Sequence, residues 1–511
     1  MNPAALVAIV PLAPLAAALL IGAALTFRRH DGDAAERPSA RIAVAGGALA
    51  LLVMLLLDGL ALVHGAPGQV WLGTWFSAGR FEIPLSFTLD ALSLGFGTLV
   101  ALIAFLTLRF SVNYMHREPG FHRYFFGLSL FAAGMLTLVL AGNSALAFVG
   151  WELAGVSSYL LIGYAWERAS ASENAVRAFV TNRIGDAGFI VGIAATFHWV
   201  GTAEWPGFAA GVGALDTLAA GLMAFGFVVA ALAKSAQVPF APWIARALEG
   251  PTPSSAIFYG ALMVHSGVFL LIRIEPLLIR APALMALLVL LGLASALYGW
   301  LSGLTQTDVK SALTFATTTQ VGLMFLWCGL GWFDLAAWHL ALHASWRAYQ
   351  FLLAPSYMHL LDGPTRPVPS WLGRRRRLYT AALQRFWLEP VADWLLVRPT
   401  RGLGRDMNAF DNQVVDRFIG IAEPARSLGT AAPVQAESGA VSRGYGSAGQ
   451  LLEIVAAQLA RFEAHLLLQG AGGTLRSTLA HTGDYLRAVE ALLERPRYLL
   501  LLIMATFAVI L

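Results

Sequence analysis

Long apolar runs alternate with short polar breaks through the first 360 residues, and each run has the length of a membrane span. At about 1.5 Å per helical residue, roughly 20 apolar residues cross the hydrocarbon of a bilayer. Such runs predict spans at 3–27, 41–64, 88–112, 124–142, 144–166, 176–200, 208–233, 254–274, 281–303, 309–331 and 334–360. A half-length piece sits at 238–249, against Pro239 and Pro242. The pattern predicts an all-α polytopic membrane protein, a bundle of about 12 transmembrane helices with broken ones among them. Residues 1–86 hold the first spans and 87–361 the main bundle. After residue 361 the character changes. Residues 362–497 mix polar and apolar positions with many arginines, and "RSLGTAAPVQAESGAVSRGYGSAGQ" at 426–450 reads as a flexible linker. The final "YLLLLIMATFAVIL", 498–511, covers about two-thirds of a bilayer.

Composition sharpens the class. Of 511 residues, 58% are hydrophobic and 13% charged, with a mean hydropathy of +0.66. Soluble domains carry about 25% charged residues, so this chain has more apolar surface than one globular core can hide. The single Cys328 excludes an intramolecular disulfide framework and a cysteine metal cluster. The first run is too long for a signal-peptide core and lacks a basic lead-in, so a retained span is expected.

Charge then sets orientation. With the N-terminus outside, the inner loops hold Arg28, Arg29, Arg37, Arg117, Arg123, Arg168, Arg177 and Arg374 to Arg377. The outer loops hold only Arg80, Arg273 and Arg280. That asymmetry obeys the positive-inside rule, and it puts 362–497 on the cytoplasmic side of a bacterial-type inner membrane. The net charge of +4 needs no nucleic-acid partner, because inner basic loops rest on anionic lipid.

Ionisable residues inside spans are costly, so each is a functional candidate. Glu152 lies in "FVGWELAGVSSYLL", and no charged residue stands at helical spacing from it. Arg183 and Asp186 fall three apart in "TNRIGDAGF", a spacing that also suits a structural ion pair. Lys234 ends an apolar helix just before the two prolines, which break a helix and free backbone groups. His265 is alone in "GALMVHSGVFLLIR", where a hydrogen-bonded structural role is the ordinary reading. In "AAWHLALHASWRAYQF", His339, His343 and Arg347 stack at i, i+4 and i+8 on one face. Taken together, a glutamate, an aspartate, a lysine and three histidines are what a proton relay needs. Their protonation responds to desolvation and to neighbours. Arginine stays charged, so Arg347 reads as a fixed cation that tunes His343 or anchors a partner's carboxylate.

The segments "FTLDALSLGFGTLV", "GWELAGVSSYLLIGYAWE", "AVRAFVTNRIGDAGF", "AKSAQVPFAPWIARALEGPTPSSA" and "LTQTDVKSALTFATTTQVGLMF" resemble subunit L of respiratory complex I (NuoL). They are also similar to mitochondrial NADH dehydrogenase subunit 5 and Mrp-type antiporter subunits. The resemblance covers roughly residues 87–360. It implies an antiporter-like, proton-conducting core with inverted repeats and broken helices. It matches Glu152, Asp186 and Lys234 to the family's glutamate, following acid and broken-helix lysine, and His339 and His343 to the histidines of the family's later broken helix. Tyr259 stands where the family has a histidine, His265 follows one and a half turns later, and Arg347 replaces a lysine. The family continues past this point with further spans, so the second repeat is expected to be truncated. "RFWLEPVADWLLVRPTRGLGRDMNAFDNQVVDRF" echoes the family's amphipathic extension, which predicts helices at 378–423 and 451–496 on the inner face.

The leading expectation is a proton-translocating subunit of a complex I-like assembly, with other membrane subunits as partners. The chain carries no redox-cofactor motif; quinone, flavin or iron–sulfur centres would sit on those partners. An alternative is the membrane subunit of a DAB-type inorganic-carbon pump, with a soluble partner at the inner face; "WCGLGWFDLAAWHLALH" resembles that stretch. A second alternative is a non-conducting scaffold.

Overall fold

Helices in this chain start where a short polar side chain precedes an apolar run. In the computed structural model, which describes residues 3–27, 33–78, 81–354 and 367–410, four helices begin this way. Asp90, Asn143, Asp216 and Asp308 accept hydrogen bonds from the amides of Ser93, Leu146, Ala219 and Ser311. Each satisfies one of the amides that a helix N-terminus leaves unpaired. The helices so capped are α3 (Ala91–Tyr114), α5 (Ser144–Ile162), α8 (Thr217–Lys234) and α14 (Val309–Gly329). Around them stand α1 (Pro3–Thr26), α2 (Glu36–His64), α4 (Phe121–Leu140), α6 (Ala169–Val200), α13 (Pro282–Gly303) and α15 (Phe333–Leu353). Short pieces α7 (Trp205–Gly211), α9 (Pro242–Arg246) and α12 (Glu275–Leu278) connect them.

The run 252–273 is a broken helix. It passes from α10 (Thr252–Ser255) through a π-turn (Ala256–Ala261) and a 3₁₀ turn (Met263–His265) to α11 (Ser266–Arg273). The break faces α15, where a Cβ on Gly260 would sit 2.9 Å from the Phe351 ring. Among the described residues, eight helices are long and apolar enough to cross a membrane. With 32, 21 and 21 residues, α6, α14 and α15 are long enough but more polar.

Two expectations fail. The all-α reading misses an antiparallel hairpin of β1 (Gly68–Ala78) and β2 (Phe81–Leu89). Its alternating "FEIPLSFTL" is a strand pattern too short to register as a span. The span expected at 208–233 is split, because Gly211, Gly213 and the Asp216 cap stop one helix and start another. The segments 426–450, 451–496 and 498–511 lie outside the described residues.

Connections alternate between two ends. At one end the hairpin meets the α4–α5 and α6–α7 links: Phe87 bridges Ala141, Asn143 bridges Glu204, and Gln69 donates to Glu204 at 2.6 Å. At the other end Glu36 receives His116 and the Arg117 amide, and Arg168 pairs with Glu249 at 3.0 Å. Here also α16 (Ser370–Gly373), α17 (Arg376–Leu383) and α18 (Leu388–Ala392) return to the bundle. Arg177 of α6 clasps Glu389 (2.9 Å) and Asp393 (2.7 Å), and Arg246 of α9 takes Glu389 from the other side at 2.7 Å. Residues from Arg398 on belong to a separate compact unit, of which α19 (Arg398–Phe410) is described. Its Leu403, Met407 and Phe410 share one helical face, opposite arginines.

Helix pairs in a bilayer gain little from apolar burial, so close backbone approach matters. Along α13 and α14, Gly292, Gly299, Gly322 and Gly329 repeat every seven residues. A Cβ on Gly292 would meet Leu326 N at 2.6 Å, and one on Gly322 would meet Ala296 N at 2.7 Å. Both contacts are backbone and cannot yield. Gly322→Val is expected to lower stability by about 3 kcal/mol or more. Gly221→Ala, facing open space, is expected to be neutral or mildly stabilising. The fully buried Cys328, the only cysteine, reports unfolding directly through a thiol-reactive dye in a thermal ramp.

A second expectation concerns Asp90, the cap outside α3, which receives two hydrogen bonds from the Arg273 guanidinium. Burial pushes its carboxyl up, but the Arg273 bonds and charge and the Ser93 amide outweigh this and hold it below the ordinary carboxylate value. A lowered folded value means stability present above the unfolded pKa and lost as pH falls through the folded one. Wild type is therefore expected to lose thermal stability below about pH 4, and Asp90→Asn to lack that part of the loss. Tryptophan-fluorescence melts across acid pH check this.

Candidate functional site

Two groups of buried ionisable side chains occupy the bundle. The first is built from α5, α6 and α8. Glu152 and Trp151 come from α5, Arg183 and Asp186 from α6, and Lys234 from the last turn of α8. Lys234 is the most enclosed, with 1% of its side chain exposed. Its Nζ donates to the Trp151 carbonyl at 3.2 Å, lies 4.8 Å from the Trp151 ring centre and stands 4.0 Å from Asp186 Oδ1. Trp151 Nε1–H donates to that same Oδ1 at 2.7 Å. Arg183 sits between the carboxylates: Nη1 is 2.5 Å from Glu152 Oε2, and Nη2 is 2.8 Å from Asp186 Oδ2. The second contact is misaligned for a hydrogen bond, so it acts through charge, and Arg183 Nε and Glu152 Oε1 stay without partners. A Cβ on Gly155 would come within 3.2 Å of Lys234 Nζ, so glycine there makes room for the ammonium.

This corrects one sequence reading. Glu152 is not isolated. Its cation lies 31 residues away on the next helix, a pairing no helical spacing displays. The Arg183–Asp186 pair exists as the spacing predicts.

The second group is built from the broken helix and α15. His265, at the end of the 3₁₀ turn, is fully buried. Its Nε2 lies 2.9 Å from His343 Nδ1. Arg347 approaches His343 Nε2 through both Nε (3.4 Å) and Nη2 (3.3 Å), and its Nη1 donates to Gln350 at 3.0 Å. Arginine can only donate, so a neutral His343 accepts at Nε2 and carries its hydrogen on Nδ1. That hydrogen goes to His265 Nε2, so His265 carries its own on Nδ1, an atom with no partner. The arginine at the foot of the column thus fixes the proton polarity of two histidines. His339 meets the His343 ring edge-on at 6.1 Å but bonds sideways, to Gln320 (2.9 Å) and Trp327 (3.3 Å) of α14. Tyr259, also fully buried, donates to the Ala247 carbonyl at 2.7 Å, outside both groups' hydrogen bonds.

Every sequence-predicted residue is therefore placed. Glu152, Arg183, Asp186 and Lys234 form one group; His265, His343 and Arg347 form the other, with His339 at its edge. Among the described residues no hydrogen bond or ion pair joins Lys234 to His265. Between them in sequence, Ser235 Oγ and Gln237 Oε1 are buried without partners. Sequence reasoning missed Trp151, which uses an indole donor, a carbonyl and a ring face at once. It also missed Gln320, Trp327 and Gln350. Their polar atoms are ordinary in type, and only the fold aims them at the site.

A model of the NADH:quinone oxidoreductase/Mrp antiporter transmembrane family matches residues 141–366. One of the NADH-ubiquinone oxidoreductase (complex I) chain 5 N-terminus matches 75–125. NADH-quinone oxidoreductase subunit L of Mycobacterium tuberculosis is 39% identical over 355 residues, 68% of this chain and 55% of the relative. The chloroplastic NAD(P)H-quinone oxidoreductase subunit 5 of Nephroselmis olivacea is 36% identical over 362 residues, 69% of this chain and 55% of the relative. The chain thus spans about half the length of the curated relatives it matches. The solved Mrp complex from Dietzia is similar with a TM-score of 0.58 and 27% identity, over 67% of this chain and 37% of that one. The archaeal membrane-bound sulfane sulfur reductase shares the fold at a TM-score of 0.57 and 18% identity, over 67% of this chain and 55% of that one.

The geometry of the first group generates an expectation. Arg183→Met leaves Glu152 and Asp186 facing each other without their shared cation. It is expected to lower stability by about 2–3 kcal/mol, less than a fully buried pair because the arginine is part-exposed. Adding Asp186→Asn is expected to recover more than half of that loss. Melts of the two single variants and the double variant measure the coupling. Simple additivity of the two losses would show that Arg183 and Asp186 do not interact.

Proposed function

Because the chain belongs to the NADH-quinone oxidoreductase subunit L/5 family of antiporter-like membrane proteins, we propose that it moves protons across a membrane as one subunit of a complex I-like assembly. The observation that carries this reading is Lys234, an ammonium enclosed in an apolar bundle with two carboxylates and a second cation within reach. A structural ion pair needs two charges; four titratable or fixed charges on three helices allow the set to hold one proton more or less at modest cost. In this reading Glu152 and Asp186 accept protons, Lys234 exchanges with them, and Arg183 keeps the two carboxylates from both being neutralised. His265 and His343 take the proton onward, with His339 beside them. The unpartnered Ser235 Oγ, Gln237 Oε1 and His265 Nδ1 support water-mediated transfer between the groups. Tyr259 packs, and Arg347 is a fixed charge.

Counting α6, α14 and α15 with the eight apolar helices gives an odd number of crossings. The alternation of the connections agrees with that count. In this reading the end of α15 lies opposite the N-terminus, and the arginine distribution supports an N-terminus outside an inner membrane. In this reading α16 to α18, which return to that end of the bundle, lie on the cytoplasmic face. The reading assigns neighbouring membrane subunits as partners and leaves quinone, flavin or iron–sulfur chemistry to them.

In membranes carrying the assembled complex, Glu152→Gln and Lys234→Ala are each expected to reduce coupled proton uptake to the level of a membrane without the complex. Both proteins should insert and fold as wild type does, shown by unchanged Cys328 protection. Normal flux in both variants would make the buried charges structural and the subunit a scaffold. Arg347→Lys is expected to transport poorly, since lysine lacks the two-pronged contact to His343.

A further inference from the structure

At the arginine-rich end of the bundle a cavity of about 620 Å³ opens between the C-terminal end of α1, the start of α4 and the end of α5. Its walls are Gly22, Leu25 and Thr26 from α1, Arg123 and Phe126 from α4, and Leu160, Leu161 and Tyr164 from α5. The lining sorts by depth along the helices. Phe126, Leu160 and Leu161 lie toward the middle of the bundle, and Arg123 and Tyr164 at its rim. The wall is built rather than loose. Gly22 has no side chain, and a Cβ there would sit 3.1 Å from the Phe126 ring. The Tyr164 hydroxyl donates to the Pro119 carbonyl, which pins its ring. Burial and the nearby Glu118 push that phenol up to about 12, so it stays a donor at every physiological pH. Arg123 is exposed, lies 5.8 Å from the Tyr164 ring centre, and forms no ion pair among the described residues. Glu118 and Glu167 act on the Tyr164 hydroxyl but neither pairs with Arg123. In sequence α1 runs straight on to Arg28 and Arg29.

An apolar slot between three helices, with a guanidinium at its mouth that forms no ion pair among the described residues, matches one class of molecule. We propose that this cavity binds an anionic phospholipid, its phosphate on Arg123 and one acyl chain along Phe126, Leu160 and Leu161. A guanidinium takes a phosphate through two parallel hydrogen bonds, and basic positions just inside a membrane favour anionic lipid. Lipid is the occupant that charge complementarity and shape select together: a free phosphate would leave the apolar slot unfilled, and an uncharged lipid would leave Arg123 unpaired. The bound lipid would brace Tyr164 and the end of α5, the helix that carries Glu152.

The test uses the full chain, purified and stripped of lipid in detergent, then titrated with phosphatidylglycerol and followed by native mass spectrometry. Wild type is expected to bind one phosphatidylglycerol more tightly than the rest. Arg123→Gln is expected to weaken that one about fivefold, the contribution of one basic residue near a membrane surface. Arg123→Lys should keep part of it. Leu160→Trp, which fills the apolar part of the slot from an exposed position and leaves Arg123 in place, should lose it too. Equal binding by wild type and Arg123→Gln overturns the proposal, as does phosphatidylcholine competing equally. Displacement by inorganic phosphate alone would mark an anion site and likewise overturn it. A variant whose Cys328 reacts in the cold is misfolded; the comparison then rests on the other variants and on the phosphatidylcholine competition.

Discussion

The structure turns on one ammonium with nowhere to go. Lys234 ends α8 inside the bundle with 1% of its side chain exposed, and an isolated charge at that depth would cost far more than a domain's whole stability. The neighbourhood exists to offset that. Asp186 supplies the opposing charge, the Trp151 carbonyl a hydrogen bond and the indole face a further attraction. These groups can converge only because α5, α6 and α8 approach closely. Gly155 opens space for Nζ on one side, and Gly185, Gly188 and Gly226 let α6 and α8 touch backbone to backbone on the other. The glycines of an apolar bundle and the charges at its centre are therefore one design: without the first, the second has no partners.

How much of this the chain displayed before folding depends on distance along it. Helix positions were legible because apolar runs are local signals. The Arg183–Asp186 pair was legible because three residues is one helical turn. The Glu152–Arg183 pair was not, since its two halves sit on different helices, and Glu152 looked alone for that reason. The hairpin escaped because a search for runs of span length passes over strands of nine and eleven residues. The break at 256–261 escaped because no proline stands within it; there Gly260 lies against the Phe351 ring of α15, a tertiary contact that the sequence does not display. The break at Pro239 and Pro242 could be read because the helix ends for a covalent reason.

The two buried groups differ in a way that bears on transport. The first holds two carboxylates against two cations, so a proton gained or lost by one member is compensated by its neighbours. The second holds Arg347 against neutral partners only, His343 and Gln350. There the cation acts on direction. By occupying His343 Nε2 it forces the hydrogen onto Nδ1 and hence the polarity Arg347 to His343 to His265. A histidine held in this way has no free lone pair, so it cannot take up another proton until the guanidinium withdraws from Nε2. His265 has both nitrogens committed too, one accepting and one carrying its hydrogen. Under the proposed function, proton transfer through the pair therefore requires Arg347 to withdraw from His343 Nε2. Its stem packs 3.6 Å from the position of a Gly260 Cβ, in a segment whose backbone is π-helical rather than α-helical. A π-turn differs from an α-turn by one residue of register, so a change there would shift Gly260 against Arg347 without unfolding either helix. If the pair carries protons as proposed, a register change at this π-turn is the motion that would free His343 Nε2.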